Sequence, residues 1–237
     1  MTARSASLQS LLAPQTHGSV RHAIGRAMHW RYRLFQKRRH DHPVIENVSG
    51  VSLLVTPGVL NPRLMRTGAF FASQLGPDVL ADEAAVLDMG TGSGVCALAA
   101  ARYVRRVVAS DVDEAAVRCA RINVLLNEAE GKVEVLQGDL FEPLGGQCFD
   151  VALFNPPFVR GTPRNNADRA WRSLDIAERF AAGLRAHLRP SGYALVLLST
   201  YGDPRRFIEE FRRHGFGISI GSERAFINEN LAILKLV

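Results

Sequence analysis

From residue 85 onward two hydrophobic periods alternate along the chain, and that alternation constrains the fold more than any other feature. Short apolar runs at 85–89, 106–110, 132–137, 149–154 and 192–200 read as buried strands. Between them, residues 95–103, 113–127, 167–188 and 204–214 show helical spacing. In 113–127, Ala116, Ala120 and Val124 share one face, and in 167–188 Ala170, Leu174, Ala177, Ala181, Leu184 and Leu188 do the same. Two last strands, 216–222 and 231–237, have no helical pattern between them. Strands joined by helices lie parallel, with the helices covering both faces of the sheet. The pattern therefore predicts an open, doubly wound α/β sheet that closes with an antiparallel edge pair. Ligands of such sheets bind beyond the carboxyl ends of the strands, near the reversal in strand order.

Four unusual segments fall at four successive strand ends. Asp88-Met89-Gly90-Thr91-Gly92-Ser93-Gly94 follows the first strand and opens a helix. Its glycines permit unusual dihedrals and close approach of backbone to a ligand. The dinucleotide fingerprint needs a third glycine where Val95 stands, so that motif fails. Asp111 ends the second strand, where a carboxylate can accept both hydroxyls of a ribose. Gly138-Asp139-Leu140 follows the third, offering an acceptor for an amine and an apolar side chain for a ring. Asn155-Pro156-Pro157-Phe158 ends the fourth. Proline disfavours helix in the residue before it and cannot donate to a ladder, so the strand stops in a stiff corner. That corner presents an amide, a fixed carbonyl and an aromatic ring. Taken singly each segment has a plainer reading. Asp88 can cap the loop, Asp111 can cap the next helix, Asp139 can serve a turn, and the prolines can mark only the strand's end. Their joint placement on one rim favours a single site.

Residues 86–94, with Asp111, Asp139 and Asn155 to Phe158, resemble the class I S-adenosylmethionine-dependent methyltransferases. More narrowly they resemble the "small domain" branch with an Asn-Pro-Pro-aromatic tetrad. The resemblance is strong over residues 85–160 and rests mainly on strand order beyond. It implies a Rossmann-like, seven-stranded, mostly parallel sheet with the last strand antiparallel. It also implies that S-adenosyl-L-methionine lies against Asp88, Gly90, Thr91, Gly92 and Gly94, with Asp111 on the ribose and Asp139 and Leu140 at the adenine. Asn155, between the two halves of the site, borders the cofactor as well and holds the acceptor nitrogen.

The corner suits a nitrogen conjugated with a flat group. One N–H can donate to the Asn155 side-chain oxygen and another to the Pro156 carbonyl, while Phe158 stacks on the plane. Charge developing on the nitrogen strengthens both bonds in the transition state, so orientation replaces a strong base. The catalytic set is therefore Asn155, Pro156 and Phe158. The polar, basic segment that follows reads as a substrate loop carrying Arg160 and Arg164. Trp171 is expected in the core, and Tyr201 and Gly202 border the pocket.

The acceptor is a nucleobase amine of RNA, a glutamine amide of a protein, or the nitrogen of a small molecule such as a natural product. A reading from another class is a non-catalytic RNA- or protein-binding module of the same fold. It is disfavoured because the cofactor-side and acceptor-side motifs both look intact.

The chain divides into a basic leader at 1–43, a bridge at 44–84 and the core at 85–237. The leader holds eight Arg or Lys against one acid, whereas the rest of the chain balances to −1. Val20, Ile24, Ala27 and Met28 recur at helical spacing, so one or two basic helices are expected. Residues 21–42 suit contact with nucleic-acid phosphates. The plainer alternative is a solvated face covering part of the body, and it is favoured because a charge run alone carries little specificity. His40 and His42 lack acidic or cysteine partners nearby, so no metal is expected. In the bridge, Ser49-Gly50 separates two short strands. A helix from Asn61 to Gly76 follows, with Phe70 or Phe71 roofing the cofactor or packing on the sheet. Cys96, Cys119 and Cys148 are isolated, which argues against a disulfide framework. With no apolar run of membrane length and no secretory signal, a cytoplasmic location is expected.

Overall fold

The computed structural model describes Leu11, residues 42–226 and residues 229–237. The expected leader helices and the nucleic-acid patch at 21–42 lie outside the described residues, His42 aside. The chain enters through a hairpin, β1 (Val44–Val48) and β2 (Val51–Val55). Ser49 and Gly50 take φ values of 52° and 80°, the doubly positive turn whose twist matches a two-residue hairpin.

Residues 61–76 do not form the single helix their apolar spacing suggests. Asn61 caps α1 (Pro62–Met65) by accepting from the Arg63 and Leu64 N–H groups. Arg66 then turns to φ 58°, and α2 (Thr67–Ser73) starts in a new direction. Phe70 and Phe71 are both buried in the core.

The core follows as β3 (Ala85–Met89), α3 (Val95–Ala101), β4 (Arg106–Asp111), α4 (Glu114–Leu126) and β5 (Val133–Gln137). β6 (Phe149–Phe154) and the short β7 (Val159–Arg160) lead to α5 (Asn166–Arg169) and β8 (Arg172–Ser173). α6 (Ile176–Leu184), β9 (Leu188–Ser199), α7 (Pro204–Arg213), β10 (Ile218–Ala225) and β11 (Asn230–Leu236) complete it.

The seven-stranded sheet has the order β10-β11-β9-β6-β3-β4-β5. β3, β4, β5, β6 and β9 pair in parallel, and β11 runs antiparallel to both neighbours. The closing hairpin therefore inserts its last strand between β9 and β10 rather than hanging from the edge. Because strand side chains alternate, the sheet builds two apolar layers. Val86, Val107, Val151, Leu195 and Ile233 face α2, α3, α4 and the hairpin. Leu87, Val108, Ala152, Val196 and Leu234 face α6 and α7, and Leu11 is buried in that same layer. The hairpin is fixed to the body by the buried Asn123 of α4. Its amide accepts from Leu54 N at 2.7 Å and donates to the carbonyls of Leu54 and Ser93 at 3.1 and 2.8 Å. No helix among the described residues is long and apolar enough to cross a membrane.

The long helix expected over 167–188 is the clearest difference between sequence pattern and structure. The carbonyls it would need are used elsewhere. Val159 N donates to Trp171 O at 2.9 Å and Gly161 N to Ser173 O at 3.2 Å, so β7 and β8 pair as a small parallel sheet. Leu174 is exposed, and the buried face of α6 consists of Ala177, Phe180, Ala181 and Leu184. Leu188 already belongs to β9.

Candidate active site at the carboxyl rim of the sheet

The chain leaves β3 toward β4 and β5, then returns to β6 on the other side, so a crevice opens between the carboxyl ends of β3 and β6. A cavity of about 480 Å³ occupies it. Gly90, Gly92 and Gly94 all adopt positive φ. At Gly94 a side chain would also press within 3.4 Å of the Ala120 backbone. Asp88 is buried behind this loop and is not part of the cavity wall. Its Oδ2 accepts from Thr91 Oγ1 at 2.6 Å and from Ala97 N at 3.0 Å, tying the loop to the start of α3. Burial raises the Asp88 carboxyl to about 7, against the opposing pull of those two hydrogen bonds, and the Asp111 charge adds to the rise.

Asp111 lines the cavity. Its Oδ2 accepts from Gly92 N at 2.9 Å and its Oδ1 from Asp113 N at 3.0 Å. Burial raises its pKa despite these bonds. The cap of α4 is Asp113, which accepts from Ala115 N, so helix capping does not account for Asp111. Asp139 and Leu140 also reach the cavity. Leu140 has φ 50°, and Asp139 receives Arg179 Nη2 from α6 at 2.7 Å. Hydrogen bonding to Asp139 raises the Arg179 pKa.

Asn155, Pro156, Pro157 and Phe158 form the opposite wall. Asn155 Nδ2 donates to Thr67 Oγ1 at 3.5 Å. Among the described residues, Asn155 Oδ1 is the buried side-chain polar atom with no hydrogen-bond partner. An unmet buried acceptor costs roughly 1–3 kcal/mol and calls for an explanation. Phe158 is buried, and Gly202 packs directly against it: a Cβ there would meet Phe158 O at 2.4 Å.

The structure thus gathers Gly90, Thr91, Gly92, Asp111, Asp139, Leu140, Asn155, Pro156 and Phe158 around one cavity. Gly94 stands just behind, at the amino end of α3. Arg160 and Arg164 are exposed and do not line it. Trp171, expected in the core, lies in the wall, because its carbonyl is bonded to the residue after Phe158. The roof comes from Thr67 and Gly68 rather than from Phe70 or Phe71. Arg179 and Thr67 carry no local signal in the sequence, since each meets its partner across a long separation. All three cysteines are free. No cluster of metal-binding side chains occurs among the described residues.

A family model for the methyltransferase small domain matches residues 53–214. The release factor glutamine methyltransferase of Geobacter sulfurreducens is 30% identical over 70% of this chain and 62% of its own length. The ribosomal RNA small subunit methyltransferase C of Shigella flexneri is 31% identical over 65% of this chain and 42% of its own length. This chain therefore spans less than two thirds of each of these relatives. A solved methyltransferase from Pyrococcus furiosus aligns over 90% of this chain and 98% of its own, with a TM-score of 0.58 at 16% identity, a likeness of fold. The match covers both the loop after β3 and the corner after β6, and the chain belongs to the methyltransferase small-domain family.

Proposed function

We propose that the protein is an S-adenosylmethionine-dependent N-methyltransferase that acts on a planar nitrogen, either a nucleobase amine or a glutamine amide. The observation that carries this reading is the unpartnered, buried Asn155 Oδ1 in the cavity wall. A buried acceptor left unpaired beside the cavity is complementary to an N–H that arrives with a ligand.

The walls fit the cofactor. Asp111 retains lone pairs beyond the two N–H groups it accepts, enough for the hydroxyls of a ribose. The turn at Gly90 to Gly94 brings backbone to the cavity surface without side chains. Asp139 and Leu140 offer an acceptor and an apolar face at the adenine end. S-adenosylmethionine supplies an electrophilic methyl group when bound.

The remaining work falls to the chain. Asn155 Oδ1 and the Pro156 carbonyl accept the two N–H bonds of the acceptor, fixing the plane of the nitrogen and aiming its lone pair. As that nitrogen becomes positive, both hydrogen bonds strengthen, so they stabilise the transition state more than the ground state. Phe158, held in place by Gly202, supports the flat group. The methylated nitrogen is acidic while charged, so it gives up its proton to solvent without a dedicated base.

Titration calorimetry with S-adenosylmethionine tests the reading directly. Saturable heat is expected, and no heat at millimolar cofactor would defeat it. Tritiated methyl transfer into the RNA, protein and small-molecule fractions of a cell extract then identifies the acceptor.

A further inference from the structure

We propose that the acceptor is RNA, and that Arg66, Arg224 and Arg169 hold the phosphates beside the methylated base. The proposal rests on the methyltransferase reading above and names its substrate class. The guanidinium groups of Arg66 and Arg224 both sit on the ring of Phe226, at 5.0 and 5.4 Å from its centroid. Both side chains are exposed. Among the described residues no carboxylate forms an ion pair with either, and nearby Glu229 is engaged by Ser199 Oγ. Two guanidinium groups with no carboxylate partner among the described residues leave donors for an anion, and a phosphate is the anion that arginine matches best.

The pair stands at the acceptor corner. Arg66 lies between Met65 and Thr67, which both line the cavity, and Thr67 touches the Asn155 amide. The φ of 58° at Arg66 is a strained conformation for a residue with a side chain. Phe226 directly follows β10, and Asn230, the first residue of β11, accepts through its carbonyl from Thr200 N just past β9. Two residues on, Gly202 packs against Phe158. Arg169 also forms part of the cavity wall and makes no ion pair among the described residues. It adjoins Trp171, which with Phe158 offers aromatic surface at the corner. Stacking on such a surface contributes roughly 1–3 kcal/mol per nucleobase. A glutamine amide has neither the ring to use it nor the phosphates to meet the arginines.

The test measures binding of a short fluorescein-labelled single-stranded RNA to the full chain across a salt series. Replacing Arg66, Arg169 and Arg224 together by Gln should flatten the log–log salt dependence by about 2, roughly 0.7 for each phosphate that is no longer neutralised. Arg105→Gln, at the opposite end of the sheet, should leave it unchanged. A triple variant with the unmodified slope overturns the proposal, and so does an equal flattening from Arg105→Gln, which would mark non-specific attraction. Recovery of label only in the protein fraction of an extract overturns it as well. Calorimetry separates the two levels of the argument. Cofactor heat with an unchanged RNA slope defeats the RNA assignment alone, whereas no cofactor heat in the unmodified chain defeats the enzyme reading beneath it.

Discussion

Asn155→Ala should impair methyl transfer while leaving the folded protein as stable as before or more so. The two effects share one cause. In the free protein Asn155 Oδ1 is buried without a partner, at a cost of roughly 1–3 kcal/mol. The amide's other contact, to Thr67 Oγ1 at 3.5 Å, is at the long limit of a hydrogen bond. Truncation removes the cost and gives up little attraction. The space it leaves opens into the existing cavity, so the penalty of a sealed void does not apply. The net change should lie between about 0 and +2 kcal/mol. For a chain of this size 1 kcal/mol moves Tm by roughly 2–4 °C. In the proposed transfer, the same atom accepts from a nitrogen that is becoming charged. Loss of one such preorganised group costs about 3–4 kcal/mol of barrier, or 10²–10³ in rate. Scanning calorimetry gives the first quantity and single-turnover transfer of a tritiated methyl gives the second. Cofactor affinity should change by no more than about threefold, roughly 0.6 kcal/mol of binding free energy. A variant that loses many degrees in Tm yet transfers methyl at the original rate would overturn this assignment, because Asn155 would then be structural.

Two further expectations concern the supports of the site. The Asp88 carboxyl titrates at about 7 in the folded protein against an ordinary 3.8. Between those values the unfolded chain has released the proton and the folded chain still holds it, so stability falls as pH rises through that window, by an amount of order 4 kcal/mol. Asp88→Asn removes this dependence. Chemical denaturation at pH 4 and pH 7.5 should show the unmodified protein losing stability relative to the variant, and parallel curves would contradict the burial argument. At Gly202, an added Cβ would meet Phe158 O at 2.4 Å and Phe158 Cβ at 2.5 Å. Gly202→Ala should therefore cost about 1–3 kcal/mol of stability and slow methyl transfer with little change in cofactor binding. Unchanged melting and transfer would show that Gly202 does not seat Phe158.

Much of the wall of the cavity was legible because it is local. The loop after β3 announces itself by glycine spacing, and positive φ at Gly90, Gly92 and Gly94 is what those residues permit. Asp111, Asp139 and Asn155 were marked by falling at strand ends, and a parallel sheet sends every such end to one rim. The helix expected over 167–188 failed for the opposite reason. The apolar spacing through Ala170 and Leu174 fits a helix, but β7 captures the carbonyls of Trp171 and Ser173, and no pattern within the segment records that competitor. The same capture moved Trp171 from core to cavity wall. Asp88 looked like a cofactor ligand from its position, and only packing shows it beneath the loop, bonded to Thr91 and Ala97.

Local pattern was enough to establish the parallel strands at the heart of the sheet and the rim where the candidate site residues gather, because hydrophobic period and proline and glycine geometry act over a few residues. Packing between distant elements supplies what completes the site. Thr67 reaches Asn155 across 88 positions, Arg179 reaches Asp139 across 40, and Gly202 closes on Phe158. Such contacts are set by how layers pack on the sheet, and no local period encodes them. The unpaired oxygen of Asn155 is of this kind: any asparagine carries that atom, and only the folded surroundings decide that it is buried and left waiting for a partner.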